Sequence, residues 1–133
     1  MKKAIKISQY LYVGLAIIFF LCLMLQVLLA GLAIFESAGY WLKHVTLIHL
    51  FGFNAPVFML LFAYLGDLPR FVYWHLFSLL VLVFLMYFTA NMQVSWIGSL
   101  HPVIAMILIA VAYRNIAVTM NWLKQTDIQK GEK

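Results

Sequence analysis

Four histidines carry most of the latent chemistry in this sequence: His44, His49, His75 and His101. Neutral imidazole is the common axial ligand of a b-type haem and a frequent transition-metal ligand. His44, His49 and His101 sit in stretches otherwise built from Leu, Ile, Val and Phe. Those stretches hold few other polar residues, chiefly Gln26, Asn54, Thr89 and Arg114. Polar side chains in such surroundings face a bundle interior, either as interhelical hydrogen bonders or as a site. His44 and His49 are five positions apart, about 140° around a helix, so at most one of them can point along a given direction. A haem would then take one of these two histidines with His101. Other chemistries are poorly supplied. Cys22 is the single cysteine, which excludes an intramolecular disulfide and any multi-cysteine metal site. No Asp or Glu lies inside an apolar stretch, and Ser78 has no acid–base company nearby, so carboxylate relays and hydrolysis lack their residues.

The elements that must position these residues follow from composition. Of 133 residues, 66% are hydrophobic and 10% charged, against roughly 45–50% and about 25% in soluble domains. That apolar excess exceeds what one small core can bury, so an integral membrane protein is expected. The net charge of +5 is spread among hydrophobic runs rather than gathered on a wet face, which sets nucleic-acid binding aside. A bilayer core about 30 Å thick needs roughly 20 apolar residues. Four runs qualify: Tyr10 to Phe35, Trp41 to Leu65, Phe71 to about Asn91, and about Trp96 to Tyr113. The sequence thus predicts an all-α, four-helix transmembrane bundle in one domain spanning 1–133. Its helices fall at about 10–35, 41–65, 71–91 and 99–118, with a polar tail at 124–133. Short connectors make consecutive helices antiparallel neighbours, running up-down-up-down.

With the N-terminus inside, Lys2, Lys3, Lys6, Arg70, Arg114, Lys124, Lys130 and Lys133 face the cytoplasm and Lys43 alone faces out. That asymmetry predicts both termini cytoplasmic. Trp41 and Trp96 then fall at outer helix ends and Trp74 and Trp122 near inner ones, the headgroup levels that Trp favours. The start Met1-Lys2-Lys3 resembles a secretory signal. A signal's apolar region is about 7–15 residues, however, and the first run is longer, so a retained span is expected.

Rise per residue places His49 about 12 Å and Gln26 about 13 Å below the outer surface, with His44 and His101 within about 5 Å of it. Gln26 is therefore expected to meet His49 across the first helix pair, with Ala30-Gly31 allowing close backbone approach. His101 precedes Pro102 and is expected to cap the fourth helix. His75, beside Tyr73 and Trp74, reads as an interfacial anchor. Pro56, which lacks an amide hydrogen, predicts a kink in Gly52-Phe53-Asn54-Ala55-Pro56. Arg114 is expected to snorkel to the inner surface or to pair with Asp67 or an anionic headgroup.

Several segments, in this order, resemble a family of small bacterial four-helix membrane proteins known as a domain of unknown function, number 6220. They are Leu25-Gln26-Val27-Leu28-Leu29-Ala30-Gly31-Leu32, Leu42-Lys43-His44 with His49, Leu68-Pro69-Arg70, and Ser99-Leu100-His101-Pro102-Val103. The resemblance spans about Leu25 to Arg114. Lys43 and Ile48 stand where that family tends to carry an acidic residue and a glycine. The resemblance implies a fold and a cell-membrane location and carries no established activity.

The leading functional expectation is a multi-pass membrane protein of non-enzymatic accessory or interaction role. Its partners would be the lipid bilayer and other membrane subunits or a second copy. Four helices without an inverted repeat leave little room for alternating-access transport. The competing expectation is a haem b or redox membrane protein with His49 or His44, together with His101, as axial ligands.

Overall fold

In a computed structural model, which describes residues 2–92 and 94–131, every regular element is helical. The helices are α1 (Lys2–Phe35), α2 (Tyr40–Phe51), α3 (Asn54–Leu65), α4 (Arg70–Asn91), the single-turn α5 (Ser95–Gly98) and α6 (His101–Gly131). Four stretches, Lys3–Phe35, Tyr40–Leu65, Arg70–Asn91 and Trp96–Gln129, are long and apolar enough to cross a membrane.

The outer helices are longer than their apolar runs. α1 begins at Lys2 rather than near residue 10, and α6 continues past 118 through most of the expected polar tail, of which 132 and 133 lie outside the described residues. Neither extension contains a glycine or proline before Gly131, and Trp122 and Leu123 still pack on the core, so nothing stops the helix. α6 opens with Pro102 just inside its start, where a missing amide hydrogen costs no helical bond.

The second span breaks where the kink was expected. Gly52 N–H still donates to the Ile48 carbonyl at 2.7 Å, and regular bonding resumes with Val57 N–H to the Phe53 carbonyl at 3.1 Å. Between them the Asn54 side-chain amide donates to the Leu50 carbonyl at 2.7 Å. A carbonyl left over by the break is thus satisfied locally, as a hydrocarbon surrounding would require.

A tight turn joins α3 to α4. Asp67 takes a left-handed φ of 48°, which short polar side chains tolerate, and Leu68 N–H donates to the Ala63 carbonyl at 3.0 Å. Gly66 has no room for a side chain: a Cβ there would lie 2.8 Å from the Phe62 carbonyl oxygen and 3.2 Å from Gln9.

α1 packs on α2, α3 and α6, and α4 packs on α3 and α6. The order around the bundle is therefore α1, α2–α3, α4, α6, with α2–α3 diagonal to α6. The core joins Tyr12, Ala16, Phe19 and Leu23 of α1 to Met59 and Ala63 of α3, Val72, Leu76, Leu79 and Val83 of α4, and Leu108 and Ala112 of α6. Ala16, Ala63 and Ala112 are small enough to let backbones approach. Leu21, Leu28, Leu50, Phe77, Phe84 and Met106 stay on the outside, an apolar exterior suited to lipid.

Candidate functional site

Two of the candidate histidines lie at the same end of the bundle, where α1 stops and α6 begins. Gln26, on the last third of α1, is buried with 6% of its surface exposed. Its Nε2 donates to the His44 carbonyl oxygen at 2.9 Å, and the His44 ring returns a bond from Nδ1 to the Gln26 carbonyl oxygen at 3.0 Å. A carbonyl only accepts, so Nδ1 of His44 carries the proton and Nε2 holds the lone pair of the neutral ring. The Trp41 ring, one turn earlier on α2, meets the imidazole edge-on at 5.6 Å.

His101 is held in a related way from a different helix. The Thr89 hydroxyl donates to the Leu85 carbonyl at 2.8 Å, so its oxygen is left to accept from His101 Nδ1 at 3.2 Å. Thr89 is buried and His101 half-buried. Nε2 is again the nitrogen with the lone pair. His44 on α2 and His101 on α6 thus belong to diagonal helices. Hydrogen bonding through Nδ1 is what fixes tautomer and ring orientation in histidines that ligate a metal through Nε2.

His49 does not join them. The 140° that separates it from His44 turns it to the exposed side of α2, where its ring lies 5.5 Å from that of Tyr87 on α4. The expected Gln26–His49 bond is therefore replaced by Gln26–His44. Gly31 also differs from expectation, since a Cβ there would meet nothing within 4 Å and no close backbone approach depends on it. Asn54 is spent on the helix break. His75 is half-buried and bonds its own helix, Nδ1 to the Phe71 carbonyl at 2.8 Å. Arg114 is exposed, and the ion pair found among the described residues is Lys6–Asp127 at 3.2 Å rather than Arg114–Asp67. Cys22 is half-buried. Among the described residues no three His, Cys, Asp or Glu side chains gather as a metal cluster.

Sequence reading overlooked a second polar group at the opposite end. The Tyr12 hydroxyl on α1 donates to Asn115 Oδ1 on α6 at 2.9 Å, and both residues are buried, as are Ser8 and Thr119 one turn from each. Nearby, Gln9 Nε2 donates to the Gly66 carbonyl at 2.8 Å. The signal was present as two i, i+4 pairs, Ser8/Tyr12 and Asn115/Thr119, which place each pair on one helix face. Ser8 and Tyr12 lie at the edge of the first apolar run, where a polar group does not stand out.

Tyr87 was also passed over. Its hydroxyl donates to the Ile48 carbonyl at 3.1 Å and its ring stacks on Phe53 with centroids 5.3 Å apart, so α4 braces both sides of the break in the second span.

Compared with known proteins, residues 26–93 match a family model described as a family of unknown function (DUF6220). No curated protein and no solved structure matches the chain.

Proposed function

Because the chain belongs to the DUF6220 family, a family of unknown function, we propose a role for it from its own residues: a non-enzymatic multi-pass protein of the cell membrane that acts as an accessory or interaction partner of other membrane-embedded chains. In this reading the four spans run up-down-up-down with both termini cytoplasmic. The excess of Lys and Arg at the termini and the Arg70 connector supports that orientation. The observation that carries the role is how the bundle uses its intramembrane polar groups. Gln26–His44, Thr89–His101, Tyr87–Ile48 and Gln9–Gly66 are each ties between different helices. Such ties make a fixed scaffold, and the lipid-facing surface offers Leu, Phe, Ile and Met for packing against further helices. Chemical cross-linking in native membranes, followed by purification in mild detergent, tests the role. A larger complex, with a second copy or with another membrane protein, is expected. A colourless, metal-free monomer with no cross-linked partner would remove the proposal.

A second reading is favoured by one observation: the two Nδ1-tethered imidazoles on diagonal helices. Their Nε2 lone pairs fit the ligand chemistry of haem b, and His44 and His101 would be its axial ligands, with His49 excluded by its outward orientation. Haem would supply one-electron chemistry, while Thr89 and the Gln26 carbonyl would hold the two rings in orientation. Absorption spectra of protein expressed with ample haem, oxidised and then dithionite-reduced, decide between the readings. A Soret band lost in both His44→Ala and His101→Ala favours the cofactor; its absence in the unmodified protein eliminates it.

A further inference from the structure

The seam between α1 and α6 contains polar atoms that neither reading above uses. Tyr12 and Thr119 have 0% of their surface exposed and Asn115 has 1%. Tyr12 donates its one hydroxyl proton to Asn115 Oδ1, which leaves Asn115 Nδ2, a donor of two hydrogens, buried without a partner. Turning the amide over exchanges which atom meets Tyr12 and still leaves one amide atom unpaired. Thr119 Oγ1, one turn further along the same face of α6, is likewise buried without a partner. Two orphaned groups on adjacent turns are a costly arrangement, because each loses its hydration and gains no bond in return.

Residues at i and i+4 have Cβ atoms about 5–6 Å apart on one helix face. One water oxygen reaches about 2.8 Å to each side, a span on the scale of that spacing. It also has the right complement: Asn115 Nδ2 donates to it, and Thr119 Oγ1 can accept from it. Buried waters typically make about three hydrogen bonds to otherwise unsatisfied groups. Ser8, buried one turn from Tyr12 on the facing helix, is the available third hydroxyl.

We propose that the α1–α6 seam is an internal hydration site, in which Asn115 and Thr119 hold one water that extends the Tyr12–Asn115 hydrogen bond along the seam. The site lies toward the bundle end marked by the Lys6–Asp127 ion pair, where the helices reach past their apolar runs.

The sign of a stability change tests this. If Thr119 Oγ1 were dry, Thr119→Val would remove an unpaired buried hydroxyl at nearly constant shape and raise the Tm. If it holds a water, Thr119→Val and Asn115→Leu each lower the Tm of the full chain in lipid nanodiscs. The double variant then loses less than the two single losses together, since both remove the same water. A raised or unchanged Tm for Thr119→Val, or strictly additive losses, overturns the site. Hydroxyl-radical footprinting of the unmodified protein gives a second readout that needs no variant. Radicals born from a bound water are expected to label Tyr12 despite its enclosure. Thr119→Ser is expected to retain that labelling and Thr119→Val to lose it. An unlabelled Tyr12 in the unmodified protein also overturns the site.

Discussion

Gln26 and His44 grip each other twice, side chain to backbone in both directions, at 2.9 and 3.0 Å. The first bond anchors α2 to α1, and the second fixes the tautomer and direction of an imidazole. One glutamine therefore serves both the packing of a short helix and the poise of a candidate ligand. α2 has only 12 residues before the break, so it depends on such a tie more than an uninterrupted span would.

Gln26→Leu is expected to weaken the bundle by about 1 kcal/mol, the scale of an interhelical hydrogen bond in a membrane. Reversible unfolding in bicelles measures it. A stabilised variant would mean that the unpaired Gln26 Oε1 outweighs the bond that Nε2 makes.

Tyr87→Phe keeps the ring stacked on Phe53 and removes only the hydroxyl that meets the Ile48 carbonyl. A loss of roughly 1 kcal/mol is expected. Tyr87→Ala, which also removes the ring, is expected to lose distinctly more in the same assay. Equal losses would show that stacking on Phe53 contributes nothing to the brace.

Gly66→Ala forces a methyl to 2.8 Å from a backbone oxygen that cannot move without opening the turn. Overpacking of this kind costs about 1–3 kcal/mol. Gly14→Ala meets nothing within 4 Å in the middle of α1 and is expected to be neutral or to gain up to about 1 kcal/mol from helix propensity. Thermal melts of the two single variants should therefore move apart; a shared direction would contradict the packing of Gln9 on Gly66.

Topology is open to direct labelling. In a Cys22→Ala background, Met92→Cys is expected to react with an impermeant maleimide in intact cells, while Gln129→Cys reacts only after the membrane is permeabilised. Strong labelling of Gln129→Cys from outside would reverse the orientation.

Much of the architecture follows from the chain's one-dimensional pattern. Four long apolar runs separated by short polar breaks admit few arrangements other than four membrane-length helices, because backbone groups in hydrocarbon must be satisfied within each segment. The break before Pro56 is equally local, since a missing amide hydrogen acts wherever the proline is placed. The segments around Gln26, His44 and Pro69 that resemble the family were likewise visible as residues in order, and residues 26–93 match its model.

Facing directions were a different matter. In a soluble helix the polar side points to water and so betrays the buried one, but α1 and α4 are apolar all the way round and carry almost no such asymmetry. Lipid and core accept the same side chains, so choosing His44 over His49 as the partner of Gln26 required the actual rotation of α2 about its axis. The Tyr12–Asn115 pair joins residues 103 positions apart. Neither residue belongs to a local pattern that names the other; only the packing of α1 against α6 brings a phenol and an amide together in a buried place.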